Sequence, residues 1–134
     1  MYNQNGHILV VDDDFATLRT LEKILSTAGY SVIPISLGKE AIRIAKDRSP
    51  GLIILDIMMP DMDGGDVAHV LKNDPKTKNI PIIFLSSLVT DREEQSNSKK
   101  DGLYFMSKPI DRKKLLQRIK DTHPRHASKP GVAP

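Results

Sequence analysis

The sequence predicts a doubly wound α/β domain on one five-stranded parallel sheet, in the order 2-1-3-4-5. Three observations lead there. Five short strand-like runs alternate with stretches whose apolar residues recur at helical spacing. The runs Ile8–Val11 and Leu52–Leu55 have no polar break, as strands covered on both faces require. Right-handed crossovers between consecutive parallel strands then leave few other arrangements.

The first strand is His7-Ile8-Leu9-Val10-Val11, ending at Asp12-Asp13-Asp14. Leu18, Leu21, Leu25 and Ala28 follow at helical spacing, and Gly29 supplies a stop. Ser31 to Ile35 is a short β-branched second strand, and Gly38 to Asp47 carries Ala41, Ile42 and Ala45 on a second helix. Ser49-Pro50-Gly51 closes that helix before the third strand, Leu52 to Leu55, which runs straight into Asp56. A third helix is expected from Asp66 to Asn73 on Val67, Val70 and Leu71, with Asp74-Pro75 ending it. The fourth strand is Ile80 to Leu85, leading into Ser86, and the fifth is Leu103 to Ser107, leading into Lys108-Pro109. Asp111 can cap a last helix whose inner face is Leu115, Leu116 and Ile119.

One crossover breaks the pattern. Thr90 to Asp101 contains no large apolar residue, so a fourth crossover helix there has no face to bury and should be weak. The expected division is an N-terminal extension over 1–6, the folded unit over 7–121, and a flexible basic, proline-containing tail or linker over 122–134.

At 134 residues the chain fits one domain with a real core, and its lack of cysteine excludes disulfides and thiolate metal sites. No apolar run approaches the ~18 residues of a bilayer span, and the N-terminus lacks a signal-peptide pattern; the expected compartment is the cytoplasm. The net charge of +3 is uneven. Residues 111–134 hold seven Lys/Arg against two Asp, whereas the preceding 110 hold thirteen against fifteen Asp/Glu. With three Phe, three Tyr and no Trp there is little to stack bases on, which argues against nucleic-acid binding by this chain.

In the 2-1-3-4-5 order the first and third strands are neighbours, so Asp12, Asp13 and Asp56 meet at one sheet edge. Strand four adds Ser86 and strand five adds Lys108. Three crowded carboxylates call for a hard divalent cation, and Mg²⁺ uses a few carboxylates while keeping several waters. Lys108 and the Ser86 hydroxyl stand opposite, so the corner suits a dianionic phosphoryl group, with Asp56 as nucleophile. Asp12-Asp13-Asp14 also has a plainer reading as a helix cap and solvated turn. His123 and His126, in the tail, are not expected to form a metal site.

These residues resemble the receiver domains of bacterial two-component response regulators, the chemotaxis-regulator-like group within the flavodoxin-like fold. The resemblance rests on Val10-Val11-Asp12-Asp13-Asp14, on Leu55-Asp56-Ile57-Met58-Met59-Pro60-Asp61-Met62-Asp63-Gly64, on Ile80-Pro81-Ile82-Ile83 with Ser86, and on Lys108-Pro109. It covers about residues 7 to 121. It implies a phosphoprotein rather than an enzyme: Asp56 accepts a phosphoryl group from the phosphohistidine of a sensor histidine kinase or phosphotransfer protein. Asp12, Asp13 and Asp56 hold Mg²⁺, or Mn²⁺ in its place, with the backbone carbonyl of Met58, and Asp12 acts mainly through water. Ser86 and Lys108 meet the phosphate, Ser86 and Phe105 form the conformational switch, and the Lys108–Pro109 peptide is cis. The output is a downstream partner or an effector domain outside this chain, and a homodimer is compatible with the pattern.

The chain departs from the family at Asp101, where glycine is usual, in the apolar-poor crossover, and at Phe105, where Tyr is commoner. A haloacid-dehalogenase-type phosphohydrolase is a poor alternative, because Ala16 stands where that motif needs Thr or Val. A receiver used only for docking, never phosphorylated, is disfavoured by the intact acids. Flavin binding is disfavoured because carboxylates occupy the place of the anion.

Overall fold

The computed structural model describes residues 7–88 and 102–122. The expectations for 1–6, for the crossover around Thr90 to Asp101 and for the tail beyond Thr122 lie outside those residues. Five parallel strands, β1 (His7–Val11), β2 (Ser31–Ile35), β3 (Leu52–Asp56), β4 (Ile82–Ser86) and β5 (Leu103–Ser107), form one sheet in the order β2-β1-β3-β4-β5. The described helices are α1 (Phe15–Thr27), α2 (Gly38–Arg48), α3 (Gly64–Lys72) and α4 (Arg112–Thr122).

Each strand alternates its side chains between two apolar layers. Ile8, Val10, Leu52, Ile54, Ile83 and Leu85 face one layer, with Leu18, Leu21 and Leu25 of α1 and Leu115 and Ile119 of α4. Leu9, Val11, Ile53, Leu55, Ile82 and Phe84 face the other, with Ala41 and Ala45 of α2 and Val67, Ala68 and Leu71 of α3. Every residue of β3 and β4 is buried. At about 1.5–3 kcal/mol for each large aliphatic side chain removed from water, these layers dominate the fold's stability. They also fix the register that sets Asp56 at the end of β3.

Two element starts differ from the sequence reading, and the ends of α2, β3, α3 and β4 each shift by one residue. Helix α3 starts at Gly64 rather than Asp66, because Asp63 is its cap and accepts the Gly65 N–H at 2.8 Å. Strand β4 starts at Ile82 rather than Ile80: the Pro81 carbonyl accepts from Ile53, but Ile80 is turned into the preceding loop by its bond to the Thr77 carbonyl. Strand β2 lies at the sheet edge, where it carries the exposed Pro34. Asp111 caps the last helix as expected, accepting the Lys114 N–H at 3.0 Å.

Candidate functional site

The carboxyl ends of β1, β3, β4 and β5 converge on one corner. Asp12, 1% exposed, leaves β1 with both carboxylate oxygens engaged: Oδ1 accepts the Asp14 N–H at 2.9 Å and Oδ2 accepts from Lys108 Nζ at 2.9 Å. Asp14 caps α1, accepting from the Ala16 N–H at 3.2 Å and the Thr17 hydroxyl at 2.8 Å. The plain cap reading of the Asp triplet therefore holds for Asp14. Asp12, Asp13 and Asp56 each offer one carboxylate oxygen to a group whose three atoms lie within 4.8 Å of one another.

Asp56, 6% exposed, is the last residue of β3. Lys108 Nζ lies 3.7 Å from its Oδ1. Burial raises its pKa above the usual 3.8, and the Asp12 and Asp13 charges push the same way. The Lys108 ammonium and the nearby Met58 N–H pull against them and do not win. Burial also works against the Lys108 ammonium, but its hydrogen bond to Asp12 and the fields of Asp12, Asp56 and Asp14 outweigh that and raise its pKa above 10.5. One cation thus serves two carboxylates, and the cluster remains short of positive charge. A hard divalent ion with oxygen ligands fits that deficit and that donor set.

Ser86 ends β4, buried, with its hydroxyl oxygen accepting the Leu88 N–H at 3.1 Å. Its carbonyl accepts the Lys108 N–H at 3.1 Å, which ties the end of β4 to the residue after β5. The Lys108–Pro109 peptide is cis. Phe105 does not reach into the corner; its ring stacks on Phe84 with centroids 5.1 Å apart and packs against the second apolar layer. The Met58 side chain is exposed, whereas Met59 plugs into that layer.

The loop 57–63 after β3 is tightly constrained. The Gly64 N–H donates to the Ile57 carbonyl at 2.8 Å, and a Cβ on Gly64 would lie 2.3 Å from the Asp56 carbonyl oxygen. Only glycine permits that approach. Asp61, which the sequence reading quoted but gave no role, accepts the Gly38 N–H at 3.0 Å and the Lys39 N–H at 3.2 Å. These bonds hold its carboxyl below the usual carboxylate range, the one from Gly38 most strongly. The available signal was indirect: Leu37, the N-cap of α2, has no capping side chain.

The response regulator receiver domain model matches residues 8–120. The chain belongs to that family. It is 36% identical over 116 residues to response regulator PleD of Caulobacter vibrioides, an alignment covering 87% of this chain and 26% of PleD. It is 40% identical over 122 residues to the probable transcriptional regulator ycf27 of Porphyra purpurea, covering 90% of this chain and 48% of that protein. Among solved structures, the signal receiver domain of a signal transduction histidine kinase from Syntrophus aciditrophicus superposes with a TM-score of 0.77 at 31% identity, covering 96% of this chain and 98% of that one. The chain therefore spans half or less of these two curated relatives, and nearly all of an isolated receiver structure. Receiver domains are regulatory modules of two-component signalling. No helix among the described residues is long and apolar enough to cross a membrane.

Proposed function

We propose that this receiver is a phosphoacceptor switch in a two-component phosphorelay, and that Asp56 is the residue phosphorylated. The observation that carries the reading is the buried Asp56 carboxylate, at the focus of two further acids and a shared lysine. A carboxylate oxygen of Asp56 attacks the phosphorus of a phosphohistidine on a sensor kinase or phosphotransfer protein. The P–N bond breaks, its electron pair stays on the imidazole nitrogen, which takes up a proton, and an acyl phosphate forms on Asp56. Bound Mg²⁺, or Mn²⁺ in its place, would supply the positive charge that offsets the phosphoryl oxygens in flight.

Asp12, Asp13, Asp56 and the Met58 carbonyl are the groups assigned to the ion, Asp12 through water because Asp14 and Lys108 already engage both its oxygens. Lys108 shifts from its carboxylate partners to the new phosphate, and Ser86 gives up its bond from Leu88 to donate to a phosphoryl oxygen. Because the Lys108 N–H is bonded to the Ser86 carbonyl, the two ends move as a unit. Phosphorylation then biases a two-state equilibrium in which Phe105, stacked on its strand partner Phe84 two residues before Ser86, changes its packing. The output is a downstream partner or an attached effector domain, in the cytoplasm.

Incubation with Mg²⁺ and acetyl phosphate should add one phosphoryl group by intact mass, in an adduct that is base-labile. No adduct on the native chain, or one that persists in Asp56→Asn, would sink the reading. Fast turnover of assorted phosphate esters would point to a phosphohydrolase instead.

A further inference from the structure

We infer that Asp61 is a positioning residue for the phosphoacceptor corner, holding the loop after β3 against the start of α2 so that Met58 keeps its place beside Asp56. The inference deepens the phosphoacceptor reading and rests on it for its meaning.

The loop 57–63 is fixed at both ends and in the middle by different contacts. At the near end Met58 follows Asp56 by two residues, and its N–H lies near enough to the Asp56 carboxylate to favour the charged form. At the far end Gly64 closes on the Ile57 and Asp56 carbonyls. Between them, Asp61 reaches across to α2 with one carboxylate oxygen on Gly38 and the other on Lys39. Gly38 lets the two elements close up, since a Cβ there would meet Met62 at 3.1 Å and Val67 at 3.0 Å. The donors are orphan N–H groups of the first turn of α2, and no local residue satisfies them, because Leu37 offers no capping oxygen. Asp61 is therefore at once the cap of α2 and the tether of the loop that carries Met58. Its loss releases the loop between the fixed points at Ile57 and Gly64, and Met58 is the functional residue within that span.

A purely structural role, capping α2, predicts a different outcome from a positioning role, and amide exchange separates them. In the full chain, two amides report: Met58, on the loop, and Ala41, whose N–H bonds to the Leu37 carbonyl at 3.0 Å in the first turn of α2. Asp61→Ala should speed exchange at Met58 by a larger factor than at Ala41. Adding Leu37→Ser, which returns a local cap to the exposed N-cap position, should restore Ala41 and leave Met58 fast. Calorimetric titration with Mg²⁺ should show affinity reduced about ten-fold in Asp61→Ala, and still reduced with Leu37→Ser present. Asp61→Asn, which keeps one acceptor oxygen and folds if the alanine variant does not, should fall between. Equal acceleration of the two amides, or recovery of Met58 with Leu37→Ser, overturns the inference. A wild-type chain that takes up no Mg²⁺ would instead count against the metal reading of the acidic cluster, and the Met58 to Ala41 ratio would still decide the role of Asp61.

Discussion

The loops leaving β1 and β3 both carry a carboxylate from a buried strand to the same corner, yet they are held by different kinds of contact. After β1 the chain turns straight into α1, and the contacts are short in sequence: Asp14 N–H to Asp12, and Ala16 N–H and Thr17 hydroxyl to Asp14. After β3 the loop is longer, and beyond the closure at Gly64 its contacts reach across the fold, to α2 through Asp61 and into the second apolar layer through Met59. Lys108 joins the two sides by its contacts with Asp12 and Asp56. A locally determined loop gives a fixed anchor for the charge. A loop tied to other elements moves when they do, which suits the side that bears the proposed phosphoacceptor.

The contrast can be broken at three levels. The largest effect is expected from Gly64→Ala, whose methyl would collide with the Asp56 carbonyl oxygen and the Ile57 Cα. Both neighbours are backbone and cannot swing aside, so about 3 kcal/mol of stability should be lost in urea unfolding, together with phosphorylation by acetyl phosphate. A variant of wild-type stability would mean that this loop yields more easily than its packing implies. Asp14→Ala should cost about 1 kcal/mol, the usual value of an N-cap, and leave the mass gain at Asp56 intact. Loss of phosphorylation there would show that the β1 loop is not locally determined.

The smallest effect has the opposite sign. Asp56 has its pKa raised in the folded chain by burial and by Asp12, so the native state holds that proton more tightly than the unfolded state does. Stability contributed at this site therefore falls as pH rises from the ordinary carboxylate range through the raised value, and is recovered on acidification. Without divalent ions, Asp56→Asn should melt slightly above the wild type at pH 7, with the gap closing toward pH 4. An Asn variant that melts lower at pH 7 would mean that the Lys108 and Met58 contacts outweigh the crowding.

What the sequence made legible followed from contacts that are local or periodic. Strands β1, β2 and β5 could be placed to the residue because buried strands read as apolar runs between turn residues. The neighbouring positions of Asp12, Asp13 and Asp56 followed from topology alone, since a right-handed alternation leaves β1 beside β3. The start of α3 was hidden because Gly64 and Gly65 have poor helix propensity, and Gly64 here serves the close approach to Asp56 rather than a turn. The role of Asp61 was hidden for another reason: its donors lie 23 and 22 residues upstream, and no pattern in a linear window links a carboxylate to amides that far away. The missing cap at Leu37 marked the need without naming the acceptor that meets it.

Pro34 has a consequence beyond its place in β2. The Ile35 carbonyl accepts from Asp12, so the backbone of Ile35 faces β1 and that of Pro34 faces the open side of the sheet. The edge is thus missing an amide proton at the fourth residue of a five-residue strand. An incoming strand from another molecule would find a gap in its ladder there, so this margin resists the edge-to-edge aggregation to which exposed parallel strands are prone.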